Sequence, residues 1–202
     1  MTVRVKICGI TRVEDARAAI AAGADMIGLN FYAKTPRFVD RDRAYEIRAA
    51  VGARATVVGV FVNASRAYIS DRLRAVSLDM IQFSGDEDDA ALGGWPVPSI
   101  VAQRLKVGEL SSVTMRRTDY VLYDAFDAKL FGGTGNRISL DQLRAVDLSR
   151  AFIAGGLNPD NVAEVAALGP YAVDCASGVE SSPGVKDHDK IRSFVNYAKR
   201  SR

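Results

Sequence analysis

Residues 3–31 read VRVKICGITRVEDARAAIAAGADMIGLNF, and the pattern of this stretch decides which fold to expect. A short β-rich run at residues 3–7 precedes residues 13–22, where apolar side chains recur at the spacing of an amphipathic helix. Gly23 then supplies a helix end, and a second β-rich run covers residues 26–31. This order predicts two parallel strands joined by a crossover helix.

The same alternation continues along the chain and gives eight candidate strands. They cover residues 3–7, 26–31, 56–62, 80–83, 99–101, 120–123, 152–154 and 172–173. Helical spacing is found at residues 13–22, 41–51, 65–76, 140–146, 161–168 and 187–199. Eight such units close naturally into a (β/α)8 TIM barrel, and we predict one catalytic domain over residues 1–202. An open doubly wound sheet is the alternative, because helical spacing is faint in residues 86–115.

The composition suits a compact barrel with short loops. The chain has 202 residues, fewer than the roughly 250 typical of this fold. Lys and Arg number 27 against 24 Asp and Glu, and this net charge of +3 is too small and too scattered to predict a nucleic-acid partner. The first residues form neither a signal segment nor a bilayer-spanning run, so we expect a cytoplasmic protein without membrane contact.

Metal-ligating residue types are scarce. His188 is the single histidine, and Cys8 and Cys175 are the two cysteines, with no pair at ligand spacing. Zinc or iron sites are usually built from such residues, so we expect no transition metal. Two cysteines in a domain of this size also fit a reducing compartment.

Cys8 follows the first predicted strand, where a barrel carries its functional residues. Lys6 and Cys8 are two residues apart on that strand and therefore share a face. A nearby ammonium favours the thiolate, which makes Cys8 a candidate base. A buried small hydrophobe is the alternative for Cys8, and an ion pair with Asp174 of the eighth strand is the alternative for Lys6.

Asp124 ends the sixth predicted strand, where an acidic side chain gains nothing from strand propensity. This position marks it as a candidate acid, although a turn-capping role and a contribution from Asp127 stay open. The glycine-rich residues 132–135 lie in the longest predicted loop and suggest a flexible cover over the site.

Small residues follow the last two strands, at Gly155 and Gly156 and again at Ser177 and Gly178. Many barrels bind phosphate between these two loops and the N-terminus of a short extra helix, because free backbone N–H groups converge there. We therefore predict a phosphate site and a short helix after the eighth strand. Arg37, after the second strand, has a guanidinium that suits a carboxylate of the ligand.

Together these motifs resemble the phosphoribosylanthranilate isomerase family over nearly the whole chain. The resemblance lies in VKICGIT (5–11), GLNFY (28–32) with Arg37, VGVFVN (58–63), GGTG (132–135), AGGLNPDNV (154–162), and SGVE (177–180) through PGVKD (183–187). It implies an Amadori rearrangement of N-(5-phosphoribosyl)anthranilate, in the tryptophan biosynthetic pathway, by acid–base catalysis without a cofactor.

The resemblance also implies roles for individual residues. Asp124 is the general acid that opens the ribose ring, and Cys8 is the general base at ribose C2. Arg37 holds the anthranilate carboxylate, and Asp174 orients groups near the base. The phosphate lies against Gly155, Gly156, Ser177 and Gly178. The partner is this small-molecule substrate, and we expect a monomer, with a homodimer left open.

The chain departs from the family pattern in three places: Gln82-Phe83-Ser84-Gly85 lacks a histidine, Ile138-Ser139-Leu140 replaces Phe-Asp-Trp, and Val101-Ala102-Gln103 lacks a lysine. Two other functions therefore stay open, the related isomerase of the histidine pathway and a catalytically inactive phosphate-binding barrel. That related isomerase has aspartate where Cys8 stands, which favours the anthranilate substrate. Cys175 adds a redox hypothesis, a link to Cys8, unless the two side chains point to opposite faces.

Overall fold

A computed structural model describes residues 2–104, 118–124, 140–144 and 147–200. Within these residues, eight parallel strands form one closed barrel in chain order, and the last strand pairs with the first. The strands are β1 (Arg4–Ile7), β2 (Met26–Asn30), β3 (Thr56–Phe61), β4 (Met80–Phe83), β5 (Ser99–Arg104), β6 (Tyr120–Asp124), β7 (Ala151–Ala154) and β8 (Ala172–Cys175). The predicted barrel is confirmed, and the alternative prediction, an open doubly wound sheet, is wrong.

Helices follow the strands and pack around the barrel. They are α1 (Val13–Ala22), α2 (Arg41–Val51), α3 (Arg66–Val76), α4 (Asp89–Leu92), α5 (Leu140–Arg144), α6 (Val162–Ala166) and α7 (His188–Arg200). The first two have the predicted bounds, because Asp40 caps α2 by accepting a hydrogen bond from the Arg43 N–H, and Gly23 ends α1 at φ 95°. Helix α3 begins one residue later than predicted because Ser65 is its N-cap.

Two hydrophobic layers explain why the barrel opens at one end only. The larger layer lies between strands and helices, and the smaller fills the barrel with Met26, Val58, Met80, Ile100, Leu122, Phe152, Ala154 and Ala172. At the amino end, the ring centroids of Tyr120 and Tyr171 are 4.4 Å apart, and the Arg4 guanidinium stacks 4.4 Å from the Tyr171 centroid. These aromatic side chains cover the barrel interior at the amino end, and the cavity opens at the carboxyl end.

The segment after β8 differs from the prediction in its second half. The short extra helix is a single 3₁₀ turn, Ser177–Val179. A two-stranded antiparallel hairpin of β9 (Glu180–Ser182) and β10 (Val185–Lys186) follows it and was not predicted. The two strands have three and two residues, which is too short for a two-residue alternation to be visible in the sequence.

Some predictions lie outside the described residues: the role of Asp127, the glycine-rich loop 132–135, the departure at residues 138–139 and the end of the helix predicted to residue 146. No helix in the described part of the chain is long and apolar enough to cross a membrane.

Candidate active site

A cavity of about 1330 Å³ opens at the carboxyl ends of the strands. Its lining includes seven of the eight residues singled out from the sequence, namely Cys8, Arg37, Asp124, Gly155, Gly156, Asp174 and Ser177. The eighth, Gly178, directly follows Ser177 and packs behind the cavity wall against the Leu157 carbonyl. The barrel register therefore brings residues far apart in sequence to one place.

Lys6 and Asp174 form a buried ion pair beneath Cys8. The Lys6 Nζ lies 2.8 Å from the Asp174 Oδ2, and adjacent strands β1 and β8 place the two residues in register. Burial lowers the pKa of Lys6, but the Asp174 carboxylate and Cys8 raise it by more, so its pKa is raised overall. Lys6 is thus a fixed, buried positive charge next to the cavity-lining Asp174, in the ion pair that was the alternative for this lysine.

Cys8 is partly exposed at the cavity, but its environment does not favour the thiolate before substrate binds. Burial raises the pKa of the Cys8 thiol, and the opposing effect of Lys6 is partly cancelled by the Asp174 carboxylate. Lys6 does lower the pKa of the thiol, as predicted, but burial raises that pKa by more, so the net direction is upward. The main physical reason is the burial of the thiol, and the pairing of Lys6 with Asp174 weakens the effect of the lysine further.

Gly28 leaves the space that the Cys8 side chain occupies. A Cβ at this position of β2 would lie 2.7 Å from the Cys8 Sγ and 3.1 Å from the Cys8 Cα. A larger residue would have to displace the thiol, so the glycine keeps Cys8 at the cavity.

Asp124 is the last residue of β6, and its side chain is exposed at the cavity. Strands β7 and β8 separate β6 from β1 in the barrel order, so Asp124 lies across the mouth from Cys8. One carboxyl group and one thiol at opposite walls of one cavity can deliver a proton and remove a proton from different atoms of the same ligand.

Gly155 and Gly156 turn the chain sharply after β7, at φ 87° and φ 67°. These left-handed conformations favour glycine, and they expose backbone at the cavity edge. On the neighbouring loop, a Cβ at Gly178 would lie 1.9 Å from the Leu157 carbonyl oxygen. The two loops are therefore packed together at a distance that only glycine permits.

Arg37 reaches the cavity but is already engaged by a residue of its own chain. Its Nε donates to the Glu180 Oε1 at 2.8 Å, and its Nη2 donates to the Glu180 Oε2 at 2.7 Å. Lys186 also donates to Glu180, through its Nζ at 2.9 Å. No role was predicted for Glu180 or Lys186. The one signal in the sequence is that both charged residues lie inside segments that carry the family resemblance.

Gln82 and Ser84 occupy the site of the first departure from the family pattern. The Gln82 Nε2 donates to the Ser84 Oγ at 3.0 Å. The Gln82 Oε1 and the Asp174 Oδ1 are buried without a hydrogen-bond partner among the described residues. Both residues line the cavity, so these two acceptors lie within its wall.

Cys175 lies on the opposite side of the sheet from Cys8. Asp174 points inward to Lys6, so the next residue of β8 points outward, where the Cys175 Sγ donates to the Leu157 carbonyl at 3.0 Å. Burial raises the pKa of Cys175 to about 12. Both cysteines are free thiols, and the alternation of the strands argues against the redox link.

The closed (β/α)8 barrel and the ionisable side chains at the carboxyl ends of its strands define the class, an α/β-barrel enzyme. The model of the N-(5'-phosphoribosyl)anthranilate isomerase family matches residues 5–197. The chain belongs to this family.

Individual relatives agree with the family model. An N-(5'-phosphoribosyl)anthranilate isomerase of Pseudomonas fluorescens is 47% identical, over 96% of this chain and 97% of that protein. The phosphoribosyl anthranilate isomerase of Thermotoga maritima superposes with a TM-score of 0.81 at 32% identity, covering 98% of this chain and 99% of that one. A second solved isomerase, in complex with reduced 1-(o-carboxyphenylamino)-1-deoxyribulose 5-phosphate, gives 0.81 at 33% identity, with the same coverage.

Proposed function

We propose that this barrel isomerises N-(5'-phosphoribosyl)anthranilate to 1-(2-carboxyphenylamino)-1-deoxyribulose 5-phosphate, with Asp124 as general acid and Cys8 as general base. The observation that carries the proposal is the placement of these two side chains in one cavity, on opposite walls of the barrel of a family member. Relatives about 47% identical along their full length carry the name of this activity.

Ring opening is the first step. Asp124 donates its proton to the ribose ring oxygen while the C1–O bond breaks, and the lone pair of the anthranilate nitrogen forms the C1=N bond of an iminium. The ring oxygen leaves as a neutral hydroxyl rather than an alkoxide, which is how the acid lowers the barrier. The exposed end of β6 puts Asp124 within reach of a bound ligand.

Proton abstraction is the second step. Cys8 removes the proton from C2, and the electron pair of that C–H bond forms the C1=C2 bond while the C1=N electrons return to nitrogen. The resulting enolamine tautomerises to the aminoketone, with a new proton on C1. The Lys6–Asp174 pair beneath Cys8 keeps a positive charge near the thiolate during this step.

Two anchors hold the ends of the substrate. The backbone of Gly155, Gly156, Ser177 and Gly178 binds the phosphate, and Arg37 binds the anthranilate carboxylate. The positive φ values of the first two residues and the close approach of Gly178 to Leu157 support the phosphate site. The 3₁₀ turn that begins at Ser177 is too short for a strong helix dipole, so direct N–H donation carries the binding.

Gly178→Ala tests the phosphate end. Its Cβ would collide with the Leu157 carbonyl, so the loop must move, and we expect KM to rise roughly 10- to 100-fold with a smaller change in kcat. Gly93→Ala is the control, because Gly93 has a negative φ and its Cβ would meet its nearest neighbour at 3.8 Å. Equal effects of the two substitutions on KM would contradict the proposal that the loop of Gly178 binds the phosphate.

The pH dependence of kcat/KM tests the base. The active pair holds one proton, which catalysis needs on Asp124 and not on Cys8, and this one-proton form is lost as the pH rises through the pKa of Cys8. Because burial raises that pKa above the ordinary value of a cysteine thiol, we expect the basic limb of the kcat/KM profile on the alkaline side of that ordinary value. A basic limb near neutrality would contradict the assignment.

The activity itself is tested by fluorescence. Freshly generated phosphoribosylanthranilate should lose its anthranilate-type fluorescence when the protein is added, and the corresponding aminoimidazole substrate of the histidine pathway should not be turned over. Turnover of the aminoimidazole alone would favour the related isomerase. Binding of a phosphorylated analogue without turnover of either substrate would favour the inactive barrel.

We further propose that the chain acts as a monomer in the cytoplasm. The eight strands of one chain close the barrel, so the barrel needs no strand from a second copy. The two cysteines are free thiols, as in a reducing compartment. Light scattering coupled to gel filtration measures the mass of the protein in solution, and the mass of a dimer would overturn the proposed monomer.

A further inference from the structure

One edge of the Arg37 guanidinium is bound to Glu180, and the other edge is left for a ligand. Its Nε and Nη2 both donate to Glu180, in the side-on fork that a carboxylate accepts. The other edge, formed by Nη1 and the second N–H of Nη2, makes no hydrogen bond to the described residues. Arg37 lines the cavity, so this edge can take a second carboxylate end-on.

Glu180 is itself held in place from the other side. Its carboxylate is only 6% exposed, and it accepts from the Lys186 Nζ at 2.9 Å and from the Gly184 N–H at 3.3 Å. Burial raises the pKa of Glu180, but hydrogen bonds from Arg37 and Lys186 lower it by more. The carboxylate therefore stays ionised, and the guanidinium plane cannot rotate without breaking a buried pair.

Lys186 extends this chain of contacts to the loop after β8. Its fully buried Nζ also donates to the Ala176 carbonyl at 2.8 Å, immediately before Ser177. The hairpin of β9 and β10 thus supports two parts of the cavity wall, Arg37 on one side and the residues of the proposed phosphate loop on the other.

The path of the Arg37 side chain is also fixed by its neighbour on the first loop. A Cβ at Gly9, which has φ 70°, would lie 2.5 Å from the Arg37 Cδ. Gly9 directly follows Cys8, so the arginine side chain passes beside the residue proposed as base. Its orientation is set by close packing as well as by charge.

We propose that Glu180, fixed by Lys186, is a positioning residue that aims Arg37 at the substrate carboxylate and so makes the site selective for an aryl group that carries one. This inference rests on the proposed function and deepens it. Glu180 touches no reacting atom; it acts on the substrate carboxylate through Arg37.

The test compares two ligands in Glu180→Gln. One is reduced 1-(o-carboxyphenylamino)-1-deoxyribulose 5-phosphate, and the other is the same molecule without its carboxyl group. Calorimetric titration of the wild-type protein should show tighter binding of the carboxylated ligand. In Glu180→Gln this preference should fall roughly 10- to 100-fold, because a misaligned guanidinium loses a charge-assisted pair, while affinity for the other ligand stays nearly unchanged.

Asp79→Asn is the matched control. The Asp79 carboxylate accepts two hydrogen bonds from Arg48, at 2.8 Å and 3.1 Å. Asp79 directly precedes β4 and therefore lies at the amino end of the barrel. Its loss should lower the melting temperature without changing the ligand preference. Circular dichroism checks that each variant is folded, and Glu180→Asp, which keeps the charge but shortens the reach, replaces Glu180→Gln if the latter unfolds.

Arg37→Ala completes the design. It should abolish the preference, and adding Glu180→Gln to it should change nothing further, because both act through one contact. A preference that survives in Glu180→Gln, or equal loss of affinity for both ligands, would overturn the positioning role and leave the proposed function intact. A wild-type protein that binds neither ligand would instead overturn the proposed function.

Discussion

Cys8→Ser is expected to lower kcat by about 10²–10⁴-fold, the usual contribution of a positioned general base. A serine hydroxyl fits the same space beside Gly28 but releases its proton far less readily than a thiol. Binding of the reduced product analogue should stay nearly intact, because the anchors at Arg37 and at the glycine loops are untouched. The fluorescence assay gives kcat, and calorimetric titration gives the affinity.

Cys175→Ser is the matched control for this variant. Its thiol lies on the outer face of the sheet, where a hydroxyl can make the same hydrogen bond to the Leu157 carbonyl. We expect kcat to change little. Retention of most of the wild-type kcat in Cys8→Ser, or an equal loss in both variants, would remove Cys8 from the role of base.

Asp124→Asn is expected to lower kcat by a similar factor, about 10²–10⁴-fold. An amide at the end of β6 keeps the shape of the carboxyl group but cannot protonate the ring oxygen, so the ring stays closed. The analogue, which has no ring to open, should bind nearly as well as it does to the wild-type protein. Rates from the fluorescence assay and affinities from titration separate the two effects.

Asp127→Asn is the control, because Asp127 is the other acid that follows β6. Its kcat should remain near that of the wild-type protein. If Asp127→Asn abolishes turnover and Asp124→Asn does not, the role of general acid belongs to Asp127 and not to Asp124.

The barrel could be predicted because its signals are local. Residues 80–83 and 13–22 show their elements through apolar spacing alone, and the observed bounds are the same. Strand β8 was predicted two residues short, because Asp174 and Cys175 interrupt the apolar run. Asp174 lies inside the barrel, where its charge is paired with Lys6, and tertiary pairing of this kind overrides strand propensity.

The contacts between distant residues could not be predicted in the same way. The Arg37–Glu180 fork joins residues 143 positions apart, and only the three-dimensional path of the hairpin brings them together. The protonation of Cys8 also depends on three-dimensional structure. Its lysine neighbour was visible in the sequence, but burial outweighs the effect of that lysine on the thiol pKa.

The catalysis of the isomerisation by Cys8 and Asp124 is tested most directly by the fluorescence decay of the substrate. Freshly generated phosphoribosylanthranilate is mixed with the wild-type protein and, in parallel, with the double variant Cys8→Ser, Asp124→Asn. We expect rapid loss of fluorescence with the wild-type protein and only the spontaneous decay with the double variant. Equal decay in the two samples, fast or slow, would contradict this expectation.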